Sequence, residues 1–69
     1  MPDKTYKKIE LVGSSDQSIE QAIQNAYTKA SASITNLRWF EVVEVRGNFD
    51  NGSLTYQVTL KVGFRLDDG

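Results

Sequence analysis

The chain has 69 residues, a formal net charge of −1, and neither cysteine nor histidine. These counts exclude disulfides, zinc sites built from cysteine and histidine, and catalytic nucleophiles activated by histidine. They also exclude the basic field that sequence-independent nucleic-acid binding needs, and they predict one small domain over residues 1–69 that gains stability by self-association.

Residues 6–12 alternate apolar and polar side chains, which predicts a half-buried strand that ends at Gly13. Ser14 and Gln17 have the spacing of a capping box, so we expect a helix over residues 16–35. The apolar positions of this helix recur every three or four residues and are rich in alanine, which indicates a stripe that another segment can approach closely. The stripe consists of Ile19, Ala22, Ile23, Ala26, Tyr27, Ala30, Ile34 and Leu37.

Two β runs follow the helix, at residues 38–47 and 54–66, with Asn51 and Gly52 between them. Asn-Gly favours a type I′ turn because both residues accept a positive φ, so the two runs predict an antiparallel hairpin. The order is therefore β-α-β-β. We predict an α+β fold in which a three-stranded antiparallel sheet wraps one amphipathic helix.

The first of these β runs does not alternate cleanly. With a regular pleat, Phe40 would share a face with Glu44 and Arg46, and two charges would be buried against the helix. A β-bulge near Val43 reverses the alternation beyond it and removes the conflict. The residues expected to face the helix are then Phe40, Val42, Val45, Gly47 and Phe49.

The same bulge places Trp39, the only tryptophan, on the sheet face that the helix does not cover. Arg46, Gln57 and Arg65 share that face. Together they offer a π-face, an amide that donates and accepts in one plane, and planar cations suited to phosphate. This combination favours a site for a flat and partly polar ligand.

Each of these residues also has a purely structural interpretation. Trp39 could pack in the core or at a subunit interface, and Gln57 could be a solvated strand residue. Arg46 and Arg65 could be ion-paired on their own face, with Glu41 or Glu44 as partners.

Residues 6–15, 37–42, 45–47 and 56–66 carry a family resemblance, in which Trp-Phe-Glu-Val and Val-Gly-Phe-Arg-Leu are the most specific blocks. In these blocks the chain resembles the dodecins, small flavin-binding proteins with β-α-β-β subunits. The resemblance implies a hollow homododecamer that binds flavins in pairs, with the ring systems stacked between symmetry-related tryptophans.

The resemblance also implies roles for the site residues and identities for the ligands. Trp39 would stack on the flavin, and Gln57 would hold the pyrimidine edge of its isoalloxazine ring. Arg46 and Arg65 would lie near its polar tail and phosphate. Arg46 is similar to the bacterial members, which favour FMN over riboflavin-type ligands, and FAD is a further possible flavin. Some bacterial dodecins also bind coenzyme A between subunits, a site to which we assign no residue.

The implied function is storage and buffering of flavin without catalysis, because a flavin stacked on an indole is quenched and needs no acid, base or nucleophile. We therefore expect no catalytic residue and no metal ligand. The alternatives are a structural oligomer without a ligand, a nucleic-acid binder that stacks bases on the sheet, and a flavoenzyme. No apolar run approaches the roughly 20 residues of a membrane span and no signal peptide is evident, so we expect a cytoplasmic protein without membrane or nucleic-acid partners.

Overall fold

A computed structural model describes residues 3–66 of the chain. Its elements are β1 (Tyr6–Ser15), α1 (Ile19–Ser31), β2 (Leu37–Asp50) and β3 (Ser53–Arg65). The strands form one antiparallel sheet in the order β1-β3-β2. This confirms the predicted α+β fold and its β-α-β-β order. The prediction of a single domain over residues 1–69 stays a prediction, and residues 1, 2 and 67–69 lie outside the described residues.

Both ends of the helix differ from the prediction. The helix ends at Ser31 and not at residue 35, so Ile34 and Leu37 of the predicted stripe lie beyond it. β1 continues to Ser15, so Ser14 is a strand residue paired with Gln57 and the capping box expected at Ser14 is wrong. The helix begins later, where the hydroxyl of the N-cap Ser18 accepts a hydrogen bond of 2.9 Å from the backbone N–H of Gln21. Both serines have a glutamine three positions on, and the pairing of β1 with β3 selects the second one.

The helix packs on β1 and β3 through the alanines of its predicted stripe. Ala22 and Ala26 are buried, and the strand residues of the same core are Val58, Leu60 and Val62. Gly13 of β1 lies directly beneath the helix, because a Cβ at this position would collide with the backbone carbonyl oxygen of Ala22. The missing side chain therefore permits the close approach that the alanine stripe predicted.

The β2–β3 hairpin extends well beyond the helix. Asn51 and Gly52 have φ values of 51° and 85°, which confirms the predicted turn. A helix of 13 residues is about 20 Å long, whereas a strand of 14 residues reaches about 46 Å. The helix therefore cannot cover the hairpin, and Phe49 is 92% exposed. The sequence predicted the correct side for the apolar residues of β2 but wrongly predicted that the helix covers them.

The pairing of β2 with β3 confirms the predicted bulge. The register shifts between Val42 and Glu44, so that Val42 pairs with Leu60 and Glu44 pairs with Thr59. A second shift, between Leu37 and Trp39, was not predicted. As a result, Glu41, Glu44 and Arg46 all lie on the side of the sheet away from the helix.

We call the side of the sheet that carries α1 the helix face and the opposite side the open face. Cross-strand partners in an antiparallel sheet project to the same side, so the register assigns each paired strand residue to one face. The open face consists of Tyr6, Lys8, Glu10, Val12 and Ser14 of β1, Trp39, Glu41, Glu44, Arg46, Asn48 and Asp50 of β2, and Ser53, Thr55, Gln57, Thr59, Lys61, Gly63 and Arg65 of β3.

Candidate functional site

All four predicted site residues lie on the open face, but in two separate groups. The cross-strand pairs that hold them are Trp39 with Gly63, Arg65 with Tyr6, and Arg46 with Gln57. We call the first group, Tyr6, Trp39, Gly63 and Arg65, the aromatic end. We call the second group, Ser14, Arg46, Asn48 and Gln57, the amide end.

At the aromatic end, the indole of Trp39 lies over the central strand. A Cβ built on Gly63 would overlap the Cζ2, Cε2 and Cη2 atoms of the indole. The ring of Tyr6 meets the indole edge-on, with ring centroids 5.3 Å apart and ring planes at 65°. Trp39 nevertheless keeps 37% of its surface exposed. The tryptophan is thus a supported platform on the open face and does not belong to the core of this protomer.

At the amide end, polar side chains are adjacent across the strands. Arg46 and Gln57 are direct partners, and Ser14 of β1 flanks the same glutamine on its other side. The guanidinium Nη2 of Arg46 donates a weak hydrogen bond of 3.4 Å to Oδ1 of Asn48. This end therefore offers an amide and a guanidinium side by side, a combination suited to the polar edge of a ligand.

The two ends are too far apart to hold one ligand within a protomer. Gln57 and Gly63 are six positions apart on β3, which corresponds to about 20 Å along the strand. A ring stacked on Trp39 is therefore beyond hydrogen-bonding distance of Gln57 in the same copy. Trp39 and Gln57 can contact the same ring only when different copies of the chain supply them.

The ion pairing on the open face differs from the structural interpretation of the two arginines. Nζ of Lys8 lies 3.2 Å from Oε1 of Glu41, and both side chains are about half exposed. Within residues 3–66 this is the only ion pair, so neither Arg46 nor Arg65 is paired with Glu41 or Glu44 there. The interpretation of the two arginines as ion-pair partners of those glutamates is therefore wrong for this part of the chain.

Two residues of the aromatic end were missed at the sequence level. Gly63 interrupts the polar side of an otherwise regular strand pattern, and a glycine inside a strand often marks a close approach by another group. That signal was present in the sequence. Tyr6 gave no comparable signal, because its contact with Trp39 depends on the register of β1 on β3.

The helix face carries a second exposed surface, which is apolar. Because α1 packs mainly on β1 and β3, a groove remains between the helix and β2, lined in part by Ile23, Tyr27 and Phe40. Phe40 and Tyr27 are more than half exposed. Apolar surface of this kind on a small domain is typical of a protein–protein interface.

Residues 3–66 contain no group of three or more acidic residues that could hold a metal ion. The helix in that range, α1, lacks the length and hydropathy to cross a membrane.

Comparison with known proteins places these features in a family. A family model for dodecin matches residues 5–67. The dodecin of Thermus thermophilus is 50% identical over 66 residues, which cover 94% of this chain and 96% of that protein. The solved structure of the dodecin from Streptomyces davaonensis has a TM-score of 0.93 and 48% identity, and the match covers 97% of this chain and 100% of that one.

A more distant relative is named for a ligand, the calcium ion. The crystal structure of calcium dodecin from Mycobacterium tuberculosis, described as having a calcium-binding site, is 33% identical with a TM-score of 0.83, and the match covers 94% of each chain. Dodecins are small-molecule binding proteins that form oligomers. By the extent of these matches in both sequence and fold, the chain belongs to the dodecin family.

Proposed function

We propose that this protein stores and buffers flavin, and that it binds FMN or a related flavin at Trp39 within a homododecameric shell. The observation that carries the proposal is the indole on the open face, supported by the backbone at Gly63 and still 37% exposed. A planar aromatic ligand is the partner that such a surface fits best.

The residues present fit the chemistry of a flavin. The fluorescence of its planar, redox-active ring is quenched when an indole stacks on it. Each aromatic pair contributes about 1 kcal/mol to the binding free energy beyond the burial of apolar area. Gln57 supplies an amide that matches a ring edge bearing both donors and acceptors. Arg46 and Arg65 supply guanidinium groups that bind phosphate through paired hydrogen bonds.

The separation of the two ends supports a site shared between copies. Trp39 of one copy would stack on the ring while Gln57 of a neighbour holds its polar edge. The bare apolar surface on the helix face supports the self-association that such a site requires. The residues named here bind and enclose the flavin, and no acid, base or nucleophile is needed, so we propose no catalysis. Coenzyme A remains a predicted second ligand without assigned residues, and a cytoplasmic location remains a prediction.

The absorption spectrum of the purified protein tests this function directly. We expect the bands of a bound flavin, release of that flavin on heating, and its identification as FMN or a relative by chromatography. Added FMN should lose its fluorescence when titrated with the emptied protein. A colourless preparation that leaves added FMN fully fluorescent would contradict the proposal.

A structural oligomer without a small ligand is the second candidate, and the exposed apolar residues of β2 favour it. In that case Trp39 would stabilise contacts between copies. The Trp39→Ala variant would then dissociate in size-exclusion chromatography, whereas the flavin proposal expects the assembly to persist.

Calcium is a further ligand to exclude, because it is named for the Mycobacterium relative. Isothermal titration calorimetry of the emptied protein, with calcium chloride and with FMN in parallel, shows which of the two ligands binds. We expect heat from FMN and none from calcium. Saturable calcium binding at micromolar concentration would change the ligand that we propose.

A further inference from the structure

We propose that Gly63 and Tyr6 are positioning residues that fix the orientation of the Trp39 indole and so determine how tightly a flat ligand stacks on it. This inference rests on the proposed function, since the ligand in question is the flavin. Neither residue needs to touch the flavin, because both act through the indole.

The backbone does not explain why residue 63 is glycine. Among the described glycines, only Gly52 has a positive φ, so the conformation at Gly63 is one that any residue can adopt. Glycine within a strand is unfavourable, because it gains no packing and loses more conformational entropy than other residues. What requires glycine is the indole, which occupies the space that a Cβ at position 63 would need.

Gly63 and the side chain of Tyr6 form the surface that supports the indole, which we call the indole seat. Tyr6 meets the indole edge-on at 5.3 Å between ring centroids, in the favourable geometry for an aromatic pair. Lys8 is the direct partner of Gly63, and its ammonium group lies 3.2 Å from Oε1 of Glu41 on β2, so its side chain crosses the open face of the central strand. The space directly above Gly63 is occupied by the indole.

A fixed indole favours binding because less side-chain freedom is lost when the ligand arrives. If the seat were removed, the indole would take several orientations in the free protein, and only some of them would accept a ring. The expected loss from each disruptive substitution is about tenfold in FMN affinity, as for one immobilised side chain.

The experiment compares Gly63→Ala, Tyr6→Leu and Tyr6→Phe in the fully assembled protein, with Thr59→Ala as the matched control. Thr59 lies on the same strand and face, and the strand positions between it and Gly63 span about 13 Å. For each variant we would measure FMN affinity by fluorescence quenching, the emission maximum of the ligand-free protein, and the mass of the assembly. Because Trp39 is the only tryptophan, the emission reports on its surroundings alone.

We expect Gly63→Ala to shift the tryptophan emission to longer wavelength and to weaken FMN binding about tenfold, with an unchanged assembly. Tyr6→Leu should behave similarly, while Tyr6→Phe, which keeps the ring edge, and Thr59→Ala should resemble the unmodified protein. In a Trp39→Phe background the smaller ring no longer fills the space above Gly63, so Gly63→Ala should cost little further affinity.

The proposal is overturned if Gly63→Ala leaves both emission and affinity unchanged, or if its effect is as large in the Trp39→Phe background. If Gly63→Ala fails to assemble, the test of the proposal is the comparison of Tyr6→Leu with Tyr6→Phe. Equal FMN affinities in these two variants would overturn the positioning role of Tyr6. If the unmodified protein binds no flavin, the proposed function fails, but the emission shifts still test whether the two residues position the indole.

Discussion

The two faces of the sheet each contain a glycine that is explained by what lies against it. Gly13 on the helix face has the backbone of Ala22 above it, and Gly63 on the open face has the indole of Trp39 above it. Neither has a positive φ. The same missing Cβ thus lets a helix approach the sheet on one side and lets the indole of Trp39 approach it on the other. The first glycine serves the fold, and the second serves the candidate site.

The faces also differ in what they leave exposed. The helix face is apolar and only partly covered, since Phe49 and other residues of β2 extend beyond α1. The open face is mainly polar, with Trp39 and Tyr6 as its aromatic residues. A surface of the first kind fits another copy of the chain, and a surface of the second kind fits a small, flat, partly polar ligand. Substitutions can therefore separate stability from binding.

The largest expected effect is that of Gly13→Ala, which inserts a methyl group between β1 and α1. Neither the strand nor the helix backbone can move without disturbing the core, so the free energy of unfolding should fall by about 1–3 kcal/mol or more. Thermal unfolding followed by circular dichroism, at a fixed protomer concentration, measures it. Gly63→Ala is the matched control, since its methyl group meets a side chain. If both variants lost the same free energy of unfolding, the proposed difference between the two glycines would be wrong.

Gln57→Leu should lower FMN affinity about tenfold, because the ring edge loses its hydrogen bonds. A mixing experiment sharpens this prediction. Shells assembled from equal amounts of Trp39→Ala and Gln57→Leu chains should contain some sites with the full FMN affinity that each variant lacks alone, since those sites receive the two side chains from different copies. No recovery of FMN affinity in verified mixed shells would contradict a site shared between copies.

Arg46→Ala and Arg65→Ala should affect FMN more than riboflavin, because only FMN carries a phosphate. Loss of a charge-assisted hydrogen bond should weaken FMN binding roughly tenfold and leave riboflavin nearly unchanged. Parallel fluorescence titrations with the two flavins measure the ratio. If an arginine variant weakens both flavins equally, that arginine does not bind the phosphate.

The smallest expected effect is that of Lys8→Ala. The ion pair of Lys8 with Glu41 is about half exposed, and pairs of this kind contribute about 0–1 kcal/mol to stability. Chemical denaturation should detect at most a small change. A loss of several kcal/mol would mean that the open face is more enclosed in the assembly than in the protomer.

The bulge in β2 could be predicted from the sequence because Glu44 and Arg46 belong on the opposite side of the sheet from the apolar residues of the strand, and the structure has the register shift after Val42. The premise that the helix buries this apolar side was wrong, since Val45 is 48% exposed. The second shift, beside Arg38, had no such signal, because an exposed arginine is acceptable on either side of an edge strand. The start of the helix was ambiguous for a different reason, since Ser14 and Ser18 carry the same capping pattern.

The site could be predicted only as a set of residues on one face. That Trp39 and Gln57 share the open face follows from alternation and the bulge. That they lie about 20 Å apart follows from the register, which no local pattern in the sequence specifies. The contact of Tyr6 with Trp39 also depends on the pairing of the first and last strands.

The most direct test of the central claim, that Trp39 is a flavin platform, combines two readings on the Trp39→Ala variant. One is the mass of its assembly by size-exclusion chromatography with light scattering, and the other is quenching of added FMN. The account predicts an intact assembly with FMN affinity reduced by about a hundredfold or more, as expected for the loss of a stacking residue in a paired site. An assembly that dissociates, or one that still quenches FMN fully, would contradict it.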